Sequence, residues 1–226
     1  MIIALPQEVK NNEFRVGLTP SNVSSLVVQG HTVLVQREAG KRIGFTDEMY
    51  RIAGAKLIDT AAEIFSRAEM IVKVKEPQAE ECLMLHEGQI LFTYLHLAAN
   101  KPLTQGLIDS NAICIAYETV TDDNGRLPLL APMSAVAGRM SIQAGAHALE
   151  KNQKGRGLLI GGAPGVDSAN VVILGGGVVG ENAAIIATGM RGNVYIVDKS
   201  KKRLQELHKQ CGDKIIPTES DKVDLK

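Results

Sequence analysis

Short apolar runs alternate with helix-periodic segments over the first 120 residues of the chain. The apolar runs predict strands at residues 2–5, 32–36, 70–74, 89–95 and 112–116. The segments between them predict helices at residues 21–29, 47–53, 60–66 and 103–110. Strands that alternate with helices are typical of parallel βαβ units. The pattern therefore predicts an open α/β sheet in this half of the chain.

The segment of residues 119–130 (TVTDDNGRLPLL) breaks this pattern. Asn124-Gly125, between apolar flanks, predicts a β-hairpin. Residues 133–151 then predict one long helix that is rich in small side chains. Gly138 and Gly145 inside it weaken the helix by about 1 kcal/mol each relative to alanine. Such glycines are tolerable where another backbone packs closely, so this helix is a candidate contact between domains or between subunits.

A second series of strands and helices follows a glycine-dense connection at residues 155–165. It consists of strands at residues 170–174, 193–197 and 214–216, with helices at residues 181–190 and 200–210. We place a domain boundary within residues 120–135, which divides the chain into domains of residues 1–130 and 131–226. The expected fold class is α/β, with two doubly wound, Rossmann-like parallel-sheet domains, both incomplete. The second domain stops within its third strand.

Residues 175–180 (GGGVVG) match the G-x-G-x-x-G pattern between a predicted strand and a predicted helix. Gly175 would permit a tight turn, Gly177 would let a pyrophosphate approach the backbone, and Gly180 would allow close helix–strand packing. The helix N-terminus would offer N–H groups and a positive dipole end to the phosphate. Asp198, at the end of the next strand, would accept hydrogen bonds from ribose hydroxyls and repel a 2′-phosphate. The pattern indicates a dinucleotide site that favours NAD over NADP.

The alternative, purely structural interpretation of this segment is a glycine turn in a domain that binds no nucleotide, with Asp198 as the N-cap of the following helix. Lys199 and Lys201 also lie close to Asp198 in sequence and oppose the preference for NAD. Residues 161–166 (GGAPGV) alone predict only a plain turn.

Composition excludes several other classes of function. The 226 residues carry 25 Lys+Arg and 25 Asp+Glu, so there is no basic excess to bind nucleic acid or an anionic membrane. No apolar run reaches the length of a membrane span, and the N-terminus lacks the pattern of a secretory signal. The cysteines are odd in number and lack metal-ligand spacing, so they predict reduced thiols, a cytoplasmic location and no metal site.

A candidate substrate site follows from the strands of the first half. Ligands bind beyond the carboxyl ends of parallel strands, where the sequence places Arg15, Lys75 and His96. An Arg and a Lys there can clamp a carboxylate, and a His can move protons near neutral pH. The trio suits a small oxo-acid or amino acid. Taken alone, Arg15 or Lys75 is better interpreted as a solvated loop charge, and His96 could instead cap a helix or satisfy a hydrogen bond in the core. Spacing alone favours the trio as a site and these structural interpretations about equally.

Neighbouring residues in these loops have structural interpretations. Lys73 lies two residues from Lys75 on the same strand face, and is a competing candidate for the same role. Tyr94 and Tyr117 are more typical of packing residues than of ligands.

Several motifs in order resemble the alanine dehydrogenase family. They are residues 10–20 (KNNEFRVGLTP), 71–77 (IVKVKEP), 93–98 (TYLHLA), 131–141 (APMSAVAGRMS), and GGAPGV followed by residues 171–184 (VVILGGGVVGENAA). The resemblance spans residues 1–226. The NAD-binding subunit of proton-translocating transhydrogenase shares the opening motif and the glycine loop, but TYLHLA is more similar to alanine dehydrogenase.

The resemblance implies NAD-dependent, reversible oxidative deamination of L-alanine to pyruvate and ammonia in the cytoplasm. Arg15 and Lys75 would bind the substrate, with Lys75 also counted among the catalytic residues. His96 would be the general acid/base. Residues 1–130 would be the substrate domain and residues 131–226 the NAD domain. The implied NAD contacts are Met133, Ser134, Gly175, Gly177, Val178, Val179, Gly180, Asp198, Arg203 and Ser220.

This sequence is shorter than the family that it resembles. Family members are longer, and a further catalytic Asp lies in the part that this sequence lacks. We therefore expect a truncated product, a fragmentary gene or a recombinant fragment, weakly active or inactive alone. The family forms hexamers, which implies a homo-oligomer with neither nucleic-acid nor membrane partners. The alternatives are a non-catalytic nucleotide-binding or oligomerisation fragment, or a transhydrogenase-like NAD domain that works with a membrane partner.

Overall fold

The computed structural model describes residues 1–222, which form two compact units, one of residues Met1–Leu127 and one that begins at Pro128. The first contains β1 (Ile2–Leu5), α1 (Pro20–Val28), β2 (Thr32–Gln36), α2 (Asp47–Ile52), β3 (Lys56–Ile58), α3 (Ala61–Arg67), β4 (Met70–Val72), α4 (Ala79–Cys82), β5 (Ile90–Thr93), α5 (Lys101–Ser110) and β6 (Ile113–Ala116). The second contains α6 (Ala131–Ala148), β7 (Asn170–Leu174), α7 (Val178–Gly189), β8 (Asn193–Asp198), α8 (Lys201–Cys211) and β9 (Ile215–Glu219). The predicted α/β class is confirmed.

The sheet of the first unit is parallel throughout and has the strand order β3-β2-β1-β4-β5-β6. The chain leaves β1 toward one edge of the sheet and leaves β4 toward the other. The order therefore reverses between β1 and β4, which is where doubly wound sheets bind ligands.

Apolar side chains cover both faces of this sheet. Leu34 points to one face and packs in a cluster with Phe65 and Leu91, whereas Val33 and Val35 point to the other face. Since both faces are buried, β1 and β2 form continuous apolar runs, which is why the sequence predicts them within their observed bounds.

The second unit has a parallel sheet in the order β7-β8-β9. Helix α6 crosses α7 so closely that a Cβ on Gly138 would lie 2.2 Å from the carbonyl oxygen of Val179. Gly138 is thus explained by packing inside this unit, whereas a Cβ on Gly145 would meet no atom within 4 Å. Strand β7 lies at an edge of the sheet, and its Val172 and Leu174 are exposed.

Some predicted elements were wrong in detail. Asn124-Gly125 forms a turn in which Gly125 N–H donates to the carbonyl of Asp122, but no strands flank it among the described residues. The sequence missed β3, because its exposed Lys56 leaves too short an apolar run, and also missed the single turn of α4. Strands β4 and β5 end earlier than predicted, and α7 begins at Val178 rather than at residue 181.

Candidate active site

The predicted substrate residues lie on loops at the carboxyl edge of the first sheet, a region that we call the crevice. Arg15 lies on the loop after β1, Lys75 on the loop after β4, and His96 on the loop after β5. Because β1, β4 and β5 are adjacent and parallel, these loops share one edge of the sheet, at the point where the strand order reverses.

Arg15 is held by Glu13 through a two-point contact. Its Nε donates to Glu13 Oε1 at 2.8 Å and its Nη2 to Oε2 at 2.5 Å, while the Arg15 backbone N–H donates to Oε1 at 2.9 Å. Hydrogen bonding from Arg15 lowers the pKa of Glu13, and the same bonds raise the pKa of Arg15. Glu13 is buried and Arg15 is half-exposed, so the guanidinium is oriented by a fixed carboxylate.

Lys75 is half-buried and lies close to this pair. Its charge contributes to lowering the pKa of Glu13, after the larger effect of Arg15. Its backbone carbonyl accepts a hydrogen bond from the Thr93 hydroxyl at 2.9 Å. Glu13 therefore lies within electrostatic range of both candidate carboxylate ligands, Arg15 and Lys75.

His96 is exposed and adopts a left-handed backbone conformation with φ 51°. A carboxylate supports this conformation: Glu118 Oε1 accepts from the backbone N–H of His96 at 2.7 Å and from that of Leu95 at 3.1 Å. The imidazole stacks on Tyr94, with ring centroids 6.0 Å apart. Tyr94 is in turn coupled electrostatically to Arg15. The three predicted residues are thus linked through shared neighbours, Glu13 and Tyr94.

Lys73, the competing candidate, does not face solvent. Its ammonium is fully buried, 2.7 Å from Glu81 Oε1 and 3.3 Å from Glu8 Oε2. The prediction that placed it on the strand face with Lys75 was wrong, because β4 already ends at Val72. Tyr117 packs edge-to-face on Phe92 and on Tyr94, as a packing residue does.

The glycine loop of the second unit has the local geometry that each glycine was predicted to provide. Gly175 has φ +94°, which favours glycine. A Cβ on Gly177 would meet no atom within 4 Å, so the space beside this backbone is open. A Cβ on Gly180 would lie 1.9 Å from the carbonyl oxygen of Gly175, so the turn closes on the helix only with glycine there. Gly177 is the N-cap of α7 and makes no side-chain cap hydrogen bond.

Asp198 and Arg203 hold this loop from the side of β8 and α8. Asp198 Oδ2 accepts from Gly176 N–H at 2.6 Å, and its Oδ1 accepts from Ser200 N–H at 2.7 Å. These backbone hydrogen bonds lower the pKa of Asp198. The N-cap of α8 is Ser200, so the N-cap role considered for Asp198 was wrong. Arg203 Nε donates to Gly176 O at 2.6 Å, and its Nη2 pairs with Glu181.

A cavity of about 1060 Å³ brings several predicted NAD contacts together. Its lining includes Ser134, Gly175, Gly177, Val178, Val179 and Gly180. Met133, in the same turn of α6 as Ser134, is half-buried. Ser220 is exposed and directly follows Glu219, which pairs with Asp198 across β8 and β9. Asp198 and Arg203 border the loop rather than line the cavity.

Sequence reasoning missed two carboxylates of the substrate crevice, Glu13 and Glu118. Glu13 stands two residues before Arg15, a signal that was available, whereas Glu118 reaches His96 only through the order of the strands. Within residues 1–222, His, Cys, Asp and Glu side chains nowhere gather in threes that could hold a metal ion. No helix in this part of the chain is both long and apolar enough to cross a bilayer.

Comparisons with known proteins match both halves of the chain to one family. The model of the alanine dehydrogenase/PNT N-terminal domain matches residues 4–137, and that of the C-terminal domain matches residues 141–225. The alanine dehydrogenase of Halomonas elongata is 58% identical over 207 residues, which are 92% of this chain and 56% of that protein. The alanine dehydrogenase of Methanococcus maripaludis is 51% identical over 225 residues, covering 100% of this chain and 60% of that protein.

Solved structures show the same relationship. A structure of L-alanine dehydrogenase aligns with a TM-score of 0.90 and 50% identity, over 97% of this chain and 61% of that one. A transhydrogenase from Sinorhizobium meliloti aligns with a TM-score of 0.79 at 23% identity, which shows a shared fold alone. The chain thus spans roughly 56% to 61% of the length of the alanine dehydrogenases compared here. Because the family model of the N-terminal domain matches more than half of the residues of this chain, the chain belongs to the alanine dehydrogenase/PNT family.

Proposed function

We propose that this chain carries the substrate site and part of the NAD site of an NAD-dependent L-alanine dehydrogenase. The observation that supports the proposal is that Arg15, Lys75 and His96 follow three adjacent parallel strands, two of which flank the point where the strand order reverses. A cation pair with a proton carrier suits a small 2-oxo acid and its amino acid. The family relatives are named alanine dehydrogenase, which selects L-alanine and pyruvate among such substrates.

The glycine loop fits NAD on its own geometry. The open space beside Gly177 and the unblocked N-terminus of α7 suit a pyrophosphate. Asp198 is half-buried at the end of β8, and its lowered pKa leaves the carboxylate charged at neutral pH, which suits ribose hydroxyls and disfavours a 2′-phosphate. Val178, Val179 and Ser134 line the same cavity, and Arg203 supports the loop from outside. Met133 and Ser220 remain predicted contacts.

In the proposed reaction, Arg15 and Lys75 hold the substrate carboxylate and fix the α-carbon. When bound, NAD⁺ supplies the acceptor for the hydride of that carbon. His96 takes a proton from the water that adds to the resulting iminium carbon and returns it to the nitrogen of the carbinolamine so formed. As the C–N bond breaks and ammonia leaves, the carbinolamine hydroxyl gives its proton to His96, and pyruvate remains. Tyr94 stacks on the imidazole, and Glu118 holds the backbone of His96 from which the imidazole projects. Assembly as a homohexamer in the cytoplasm remains part of the proposal.

The experiment combines an NADH absorbance assay on L-alanine and NAD⁺ with calorimetry of pyruvate and NAD⁺ binding to the purified chain. We expect both ligands to bind and turnover to be weak or absent. Arg15→Gln should weaken pyruvate binding by roughly 10- to 100-fold, as expected for a lost charged hydrogen bond. Arg67→Gln, which removes an exposed guanidinium paired with Glu63, is the matched control and should leave it unchanged. Equal pyruvate binding by both variants would refute the assigned substrate site.

A further inference from the structure

A buried charged cluster adjoins the loop that carries Lys75 and takes no part in the reaction proposed above. It consists of Glu8, on the loop after β1, Lys73, which follows β4, and Glu81 in α4. The Lys73 side chain is 0% exposed and both carboxylate side chains are 5% exposed. Glu8 and Lys73 follow β1 and β4, the strands between which the order reverses, so the cluster adjoins the switch point.

The carboxylates of this cluster bind the backbone on both sides of Lys75. Glu8 Oε1 accepts from Val74 N–H at 2.6 Å, and Glu81 Oε2 accepts from Gln78 N–H at 2.8 Å. Lys73 joins the carboxylates through its ammonium, at 3.3 Å from Glu8 and 2.7 Å from Glu81. The backbone is therefore held at Val74, directly before Lys75, and at Gln78, the N-cap of α4 three residues after it, while the Lys75 ammonium is not used in these contacts.

Further hydrogen bonds join the neighbouring strand β5 to the segment of residues 73–75. The Lys73 N–H donates to Phe92 O at 3.1 Å, and the Thr93 hydroxyl donates to Lys75 O at 2.9 Å. On the side of the Arg15 loop, a Cβ on Gly17 would lie 3.2 Å from Lys73 N, so this loop also passes close to the cluster. The anchored segment is thus fixed relative to the loops that carry Arg15 and His96.

Stability alone does not account for such a cluster. A buried ion triad gains little over apolar side chains of similar volume, because the charges must first lose their hydration. Burial raises the pKa of Glu8, which is the expected sign of that cost. Charged side chains can form directional hydrogen bonds to specific backbone groups, which apolar side chains cannot.

We propose that Glu8, Lys73 and Glu81 form a buried clamp that positions Lys75 in the crevice, which makes them positioning residues for binding of the substrate carboxylate. The inference rests on the proposed function, because it takes Lys75 as a substrate ligand. The clamp sets the backbone from which Lys75 projects, and does not itself touch the substrate.

The test replaces the clamp with apolar side chains in the variant Glu8→Leu/Lys73→Met/Glu81→Leu. Calorimetry with pyruvate as the probe and amide hydrogen exchange of Val74 and Gln78 are measured on the full chain. We expect a folded protein with unchanged NAD affinity, amide exchange faster by about tenfold or more, and pyruvate affinity weaker by about tenfold. The control is Glu48→Leu/Arg51→Met, which removes an exposed ion pair of α2 and should change neither measurement.

The outcomes separate the inference from the function on which it rests. If the clamp variant folds and binds pyruvate like the unsubstituted chain, the cluster is merely structural and the inference is overturned, while the proposed function stands. If the unsubstituted chain does not bind pyruvate, both are overturned. If the triple variant does not fold, Glu8→Gln decides: it removes the charge that pairs with Lys73, and unchanged exchange at Val74 with unchanged pyruvate affinity overturns the inference.

Discussion

The N-terminus of α7 is fixed from two sides, so a single added methyl group at Gly180 tests the packing of the dinucleotide loop. The Cβ of Gly180→Ala would lie 1.9 Å from the carbonyl oxygen of Gly175, whereas real contacts of this kind are not shorter than about 3.0 Å. Going from 1.9 to 3.0 Å requires a displacement of about 1.1 Å. On its other side α7 lies against α6, where Gly138 leaves no space beside Val179 O. Helix α7 therefore cannot relieve the clash at Gly175 by a shift toward α6, because the two helices are already in close contact there.

Overpacking of this kind costs about 1–3 kcal/mol, and we expect the larger end of this range because both partners are backbone atoms. The free energy of unfolding is measured by urea titration followed by far-UV circular dichroism, and NAD⁺ affinity by calorimetry. We expect Gly180→Ala to lower both. The matched control is Gly189→Ala in the same helix, where a Cβ meets no atom within 4 Å; helix propensity alone predicts a gain of up to about 1 kcal/mol. If Gly180→Ala unfolds at the same urea concentration as the unsubstituted chain, the reasoning about this packing is wrong.

Other substitutions test the two sites separately. Asp198→Asn should weaken NAD⁺ binding by roughly 10- to 100-fold, because it removes a charged acceptor; an unchanged calorimetric titration would contradict its assigned role. Lys73→Met leaves two carboxylates buried without their cation, and urea unfolding should show a loss of about 3–5 kcal/mol; a loss below about 1 kcal/mol would show that the ammonium matters little. Hydrogen bonds from Arg15 lower the pKa of Glu13, so the stabilisation by the ionised Glu13 is fully present above about pH 4.3 and is lost as the pH falls through the lower pKa of the folded state. Glu13→Gln should remove that part of the pH dependence of acid unfolding. An acid-unfolding profile identical to that of the unsubstituted chain would contradict this prediction. His96→Ala should leave NAD⁺ affinity within about twofold while it abolishes any turnover; equal loss of both would mean that His96 is structural.

The sequence predicted the nucleotide loop better than the substrate crevice because the loop is built from local steps. The positive φ of Gly175 and the contact at Gly180 involve residues five positions apart, so spacing alone carries the information. The start of α7 was misplaced by three residues because the helix begins inside the motif, at Val178, directly after Gly177.

The crevice depends on the order of the strands, which spacing does not encode. Arg15, Lys75 and His96 could be named from the loops after predicted strands, and Glu13 was within reach because it stands two residues before Arg15. Glu8 and Glu118 could not be named in this way. Glu118 meets the backbone of His96 across 22 positions of sequence, and Glu8 meets Val74 across 66. Such contacts follow only from the arrangement of β1, β4, β5 and β6 in one sheet.

The most direct test of the central claim is a calorimetric titration of the purified chain with NAD⁺ and, separately, with NADP⁺. The geometry of Gly177 and Asp198 predicts that NAD⁺ binds and that NADP⁺ binds at least about tenfold more weakly, a difference of about 1.4 kcal/mol. Failure of NAD⁺ to bind, or tighter binding of NADP⁺, would contradict the assignment of this loop as the NAD site of an alanine dehydrogenase.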